Sequence, residues 1–240
     1  MPRSIPATVV ISLVLWWTGS ALLAGPSSVG DLERVIARAD SFGRPTYRAF
    51  RRLEAGTVGS SRHAWLETWT SLTADHDFRF EVVAEGGNEY IRNKVLRDML
   101  EREQMLIAKG QPIRASLVSS NYVFGDGGAD EAGFLRVLLK PLRKAPGIVD
   151  GSVLIDPADA RLVQIQGRLV KNPSFWVRNV DVMWQYVRLG DAIVPIEFSS
   201  TAKVRFFGMA NFRMQYDYVS IDGRAVESPR RLARPAKQQV

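Results

Sequence analysis

Ten of the chain's 23 aromatic residues fall between Phe175 and Tyr218, along what read as three or four long strands. Phe175, Trp176, Trp184, Tyr186, Phe198, Phe206, Phe207, Phe212, Tyr216 and Tyr218 are carried there on alternating patterns. Alternation at period two sends one set of side chains to each face of a sheet. With large apolar groups on both faces, this sheet must bury more than a one-sided sheet does. Helices, a partner or an apolar ligand have to cover its second face.

The first 24 residues read as an export signal. Arg3 supplies a positive start, Ala7 to Trp17 an apolar core, and Ser20-Ala21-Leu22-Leu23-Ala24 the small residues for cleavage after Ala24. Thr18, Gly19 and Ser20 interrupt the apolar run, which falls short of the roughly 20 residues a membrane span needs. A cleaved leader is therefore expected rather than an anchor, and no later segment reads as a span. The chain has no cysteine, which excludes disulfides, thiolate chemistry and a lipid-modified cysteine. Export without cysteine points to the bacterial periplasm or the exterior. The remainder, 25–228, suits one β-rich domain.

The pI near 9.9 overstates how basic the body is. Arg3 and four residues after Ser228 (Arg230, Arg231, Arg234 and Lys237) account for five of the 32 basic residues, so 27 basic face 25 acidic residues in the body. A nucleic-acid binder concentrates positive charge on its folded surface, and no nucleic-acid partner is expected here. With Pro229 and Pro235, residues 229–240 read as a solvated basic tail.

Asp31 to Phe42 reads as a short amphipathic helix with Leu32, Val35, Ile36 and Ala39 on one face. Three strands follow, about 46–55, 62–72 and 78–84. Asn88 then caps a long helix to about Lys109, whose stripe is Ile91, Val95, Leu96, Met99, Leu100, Leu106 and Ile107. After it the chain reads almost entirely as strand: about 117–124, 134–140, 147–155, 162–169, 176–188, 193–202 and 204–221. Gly125-Asp126-Gly127-Gly128, Asp156-Pro157-Ala158-Asp159, Gly190-Asp191 and Asp222-Gly223 are short turn signals between neighbours, and short turns imply antiparallel pairing. The fold class is α+β: a curved, mostly antiparallel open barrel, or half-barrel, with helices on its concave face.

The runs Leu138-Leu139-Lys140-Pro141-Leu142-Arg143-Lys144 and Asp150-Gly151-Ser152-Val153-Leu154-Ile155-Asp156 resemble the central hairpin of the outer-membrane lipoprotein-sorting-like (LolA/LolB/RseB-like) family. Ile165-Gln166-Gly167-Arg168, Lys171-Asn172-Pro173-Ser174-Phe175-Trp176, Val204-Arg205-Phe206-Phe207-Gly208 and Tyr216-Asp217-Tyr218 continue the resemblance over roughly Phe134 to Gly223. It implies an eleven-stranded open barrel plugged by helices, as in periplasmic carriers and related lipid-binding or stress-sensing domains. No catalytic residue or cofactor comes with it. An arginine matters near the cavity mouth of such carriers, and Arg48, Arg51 and Arg52 all remain open as its counterpart.

Other chemistry is thinly supported. Asp75-His76-Asp77 flanks an imidazole with carboxylates, but a polar loop explains it and no metal site is assigned. The glycines at 125–128 lack the Lys-Ser/Thr of a phosphate loop. Ser119, Ser120, Ser199 and Ser200 have no nucleophile-elbow context. Asn172-Pro173-Ser174-Phe175-Trp176 reads as a strand start or as a lip touching an acyl chain. The expected ligand is the acyl chain of a lipid or lipoprotein, held by Trp65, Trp69, Phe80, Trp184, Phe206, Phe212 and Tyr216. Which strand face points inward stays open, because a one-residue shift of register reverses it. The alternatives are a module that binds an envelope protein partner through its sheet edge, and an exported hydrolase using Asp75, His76 and Asp77.

Overall fold

The computed structural model describes residues 29–40, 45–111, 114–173, 175, 177–206 and 208–233. The expected leader, Phe42, Trp176, Phe207 and the tail beyond 233 lie outside the described residues. No helix among the described residues is long and apolar enough to cross a membrane.

An open antiparallel sheet of eleven strands organises the chain. Its strands are β1 (Tyr47–Thr57), β2 (His63–Leu72), β3 (Phe78–Gly87), β4 (Tyr122–Ala129), β5 (Leu135–Pro141), β6 (Val149–Asp156), β7 (Arg161–Leu169), β8 (Val177–Leu189), β9 (Ala192–Val204), β10 (Gly208–Ile221) and β11 (Arg224–Ala225). Their order is β3-β2-β1-β10-β9-β8-β7-β6-β5-β4, with β11 also on β10. The one long-range junction, β1 on β10, joins the two meanders. β3 and β4 are the edges, so the barrel stays open.

Register shifts at Arg48/Ala49, Glu67/Thr68, Leu154/Ile155 and Gln185/Tyr186 are spread along the sheet, and each such bulge bends its strand and adds twist. Between β6 and β7 two glycines face each other. A Cβ on Gly151 would lie 2.1 Å from the Gln166 carbonyl oxygen, and one on Gly167 2.3 Å from that of Asp150. Only glycine permits so close a backbone approach.

Two helical elements cover the inner face. α1 (Val29–Asp40) buries Leu32, Ile36 and Ala39 against Tyr122, Phe124, Val137 and Ile165. Asn88 caps α2 (Glu89–Ile91), its side chain accepting from Ile91 N at 3.1 Å. α2 runs through a π-helical stretch (Arg92–Arg97) into α3 (Asp98–Ala108). Leu96, Leu100, Glu103 and Ile107, spaced at four, three and four residues, are buried as one face of a 3.6-residue helix, whereas Val95 is turned outward. At the end of the π stretch Arg97 pairs with Glu85 on β3, at 2.6 Å.

Two other expectations change. Gly125-Asp126-Gly127-Gly128 lies within β4, and the hairpin turns at 130–134. There the Asp130 carboxylate accepts from the backbone N–H of Ala132 and Phe134, at 3.0 and 2.9 Å. The start of the tail is engaged on the sheet: Leu232 N donates to Asp217 Oδ2 at 3.2 Å and Arg230 pairs with Glu197.

Candidate functional site

Residues paired across strands share a face, so the register decides which aromatics point toward the helices. Leu53 opposes Leu66 and Met214, Arg51 opposes Thr68 and Tyr216, and Phe198 opposes both Met214 and Trp184. This row continues through Ile165 and Val153 to Val137. It meets α3 at one end and α1 at the other.

Four of the seven expected ligand-binding residues lie on that inner face: Phe80, Trp184, Phe212 and Tyr216. Trp65 and Trp69 lie on the outer face. They alternate with buried Ala64, Leu66, Thr68 and Thr70, oppose Glu54 and Phe50, and sit under Arg52 and Arg48, 5.4 and 4.9 Å from the guanidinium carbons. Phe206 occupies the β9–β10 turn and is 90 % exposed. Phe198 was missed, although it stands in the same aromatic run: its ring centroid is 4.7 Å from that of Trp184 and 5.7 Å from that of Phe212.

Under α3 the inner face holds a charge. Arg51 is 1 % exposed, and its fork donates to both Glu103 oxygens, Nη1 to Oε2 at 2.7 Å and Nη2 to Oε1 at 3.1 Å. Nη2 also donates to the Tyr47 hydroxyl, and the guanidinium carbon lies 4.5 Å from the Tyr216 ring centroid and 5.2 Å from that of Phe78. Burial is the largest single influence and works against the guanidinium's charge, but Glu103, Tyr47 and Tyr216 together outweigh it and the pKa is raised. Burial also raises the Tyr216 and Tyr218 phenols well above their ordinary range. Glu103 stands in helical step with Leu96, Leu100 and Ile107, but its charge kept it off the apolar stripe read from the sequence.

α1 is tied down in a comparable way. Its last residue, Asp40, pairs with Arg114 at 2.5 Å and accepts from Leu117 N at 2.8 Å. Each covering helix is thus held to the rest of the fold by arginine–carboxylate pairing, α1 through Asp40–Arg114 and α3 through Arg51–Glu103.

Between the two covers runs an apolar band whose described members stand on strands. Val149, Val180 and Val182 are buried there, with Leu169, Val177, Trp184, Phe198 and Ala202 half-buried against them. A wide depression of about 570 Å³ lies elsewhere. Its side chains, among them Asp150, Ser152, Gln166, Arg168, Asp181 and Met183, oppose one another on the outer face, so it is polar and has no access to the covered face.

Asp75, His76 and Asp77 stand exposed or half-exposed in the β2–β3 turn, with Asp77 paired to Arg79 at 2.6 Å. Among the described residues no group of three or more His, Asp or Glu side chains is placed to hold a metal ion.

No protein-family model matches the chain, and no curated protein does. Among solved structures, the crystal structure of a LolA superfamily protein from Nitrosomonas europaea is similar over 77 % of this chain and 90 % of that one, at a TM-score of 0.37 and 6 % identity. The fold therefore rests on the sheet and its helical covers as described above.

Proposed function

We propose that the protein is exported to the periplasm and binds the acyl chain of a lipid or lipoprotein on the inner face, along Trp184, Phe198 and Phe212. The observation that carries this reading is the band between the covers, where the half-buried side chains of Trp184, Phe198, Leu169, Val177 and Ala202 surround three buried valines on the inner face. An acyl chain laid there removes its own methylenes and these rings from water together. At about 0.8 kcal/mol per methylene, ten methylenes supply roughly 8 kcal/mol before ordering costs. Deeper seating requires α3 to lift, because Leu96, Leu100 and Ile107 fill the space beneath it. The Arg51–Glu103 pair resists that movement, so loading and opening are coupled. No step of this reading uses a catalytic group or a cofactor.

Native mass spectrometry of protein purified from the cell envelope tests the proposal. Co-purified mass in the range of an acyl lipid, lost in a Trp184→Ala/Phe198→Ala variant, is expected. Bare protein together with no uptake of added fatty acid counts against it. A second reading, a module for an envelope protein partner, is favoured by the two unpaired edge strands, β3 and β4, whose backbone groups are available for strand addition. Capture of such a partner by a protein that takes up no lipid would select it.

A further inference from the structure

We propose that one end of the barrel is a docking surface for an anionic lipid bilayer. In an antiparallel meander alternate turns share an end, so β1–β2, β5–β6, β7–β8 and β9–β10 all turn on the same side, where α2 also begins. The five most exposed large apolar side chains among the described residues all lie there: Phe206, Tyr90, Phe175, Val58 and Leu142. Scattered apolar exposure is ordinary, but collection at one end is not.

Charge segregates along the same axis. The described turn residues of this end include Arg62, Arg143, Lys144, Lys171 and Arg205, and Arg178 and Lys203 follow at the adjoining strand ends. The acids at these positions are Glu89, where α2 begins, and Asp150, the second residue of β6. The opposite turns carry Asp75, Asp77, Asp130, Glu131, Asp159, Asp191 and Asp222, with Arg79, Arg161 and Arg188 at the adjoining strand ends pairing with Asp77 and Asp159. The body is nearly neutral in sum, so the asymmetry is one of placement.

The backbone supports a role for the aromatic tips. Phe206 holds φ at 66° in the β9–β10 turn, a left-handed conformation that bulky side chains rarely take and that Gly or Asn adopts at less cost. The turn nevertheless presents an aromatic ring at 90 % exposure. Beside it Arg205 lies 3.8 Å from the Phe175 ring centroid, which sets a cation next to an apolar tip.

Aromatic and aliphatic tips between lysines and arginines match a bilayer interface, where rings enter the headgroup layer and long cationic chains reach the phosphates. The tips come from separate loops with basic side chains between them. That spacing suits a fluid, uniformly anionic surface better than the shaped patch of one protein partner. The proposal does not depend on the acyl site.

Co-sedimentation of the full chain with vesicles of 70:30 phosphatidylcholine and phosphatidylglycerol is the test. Wild type should bind these vesicles, release them as salt rises, and bind pure phosphatidylcholine far less. A Leu142→Ser/Phe175→Ser/Phe206→Ser variant should bind about tenfold or more weakly. An Arg143→Gln/Lys144→Gln/Lys171→Gln/Arg205→Gln variant should lose about a hundredfold or more, given the usual contribution of each surface cation. An Asp75→Asn/Asp77→Asn control should bind at least as well as wild type. All variants keep the same terminal residues, so binding by those segments is common to all of them. Circular dichroism and thermal melting check that each is folded. Failure of wild type to bind anionic vesicles, equal binding to both lipid compositions, or folded variants that bind like wild type would each overturn the proposal. Capture of an acidic envelope protein by this end without vesicle binding would do so too.

Discussion

Removing one partner of the Arg51–Glu103 pair strands the other charge in a dry interior, which costs about 3–5 kcal/mol, while replacing both by apolar groups costs far less. Arg51→Met and Glu103→Leu should therefore each lower stability markedly, and the double variant should recover much of the loss in denaturant unfolding. Simple additivity would mean that the pair is solvated after all. The tyrosines give a pH signature. Burial raises the folded-state pKa of Tyr216 and Tyr218, so their neutral forms stabilise the fold at all pH values below the unfolded phenol's pKa of about 10. Above it the unfolded chain ionises first, and stability falls as pH rises. Alkaline unfolding followed by ultraviolet difference absorbance should show phenolate appearing together with loss of structure, not before it. At this scale the sequence was half legible. Arg51 stands in step with Tyr47 and Ala49, but nothing in the alternation says which set the helices cover, so Arg48 and Arg52 were equal candidates. Trp65 and Trp69 were expected inside for the same reason.

Among the elements, the long helix and the meander were legible from apolar period and turn residues, because both signals are local. The π stretch was not, since it has no residue signature of its own. Leu100→Ala should cost about 2–5 kcal/mol, whereas Val95→Ala, at an exposed position, should change the melting temperature little; reversed costs would show that the helix turns a different face to the sheet. The turn expected at 125–128 failed because glycines serve equally in a twisted edge strand, and Asp130 supplies the turn's hydrogen bonds instead. Gly151→Ala places a methyl against the Gln166 carbonyl and should lower thermal stability sharply, while an alanine at Gly125, where only Leu138 side-chain atoms stand nearby, should be tolerated. Equal melting temperatures for the two would show that the β6–β7 approach is looser than described.

For the whole molecule, the open α+β barrel with helices on one face was legible because short turns fix neighbours, and a two-sided apolar sheet demands a cover. The division of that cover into two helix-capped cores with a third, strand-built apolar cluster between them was not. It depends on how far each helix reaches across the sheet, which only the tertiary packing sets. The band is the account's central claim, and displacement of a fluorescent fatty acid tests it most directly when faces are compared. Wild type and a Trp65→Ala/Trp69→Ala variant of the outer face should bind the probe alike, and Trp184→Ala/Phe198→Ala should bind it at least about tenfold more weakly, each lost ring being worth about 1.5 kcal/mol or more. Equal binding by the folded inner-face variant, or loss confined to the outer-face variant, would contradict the account.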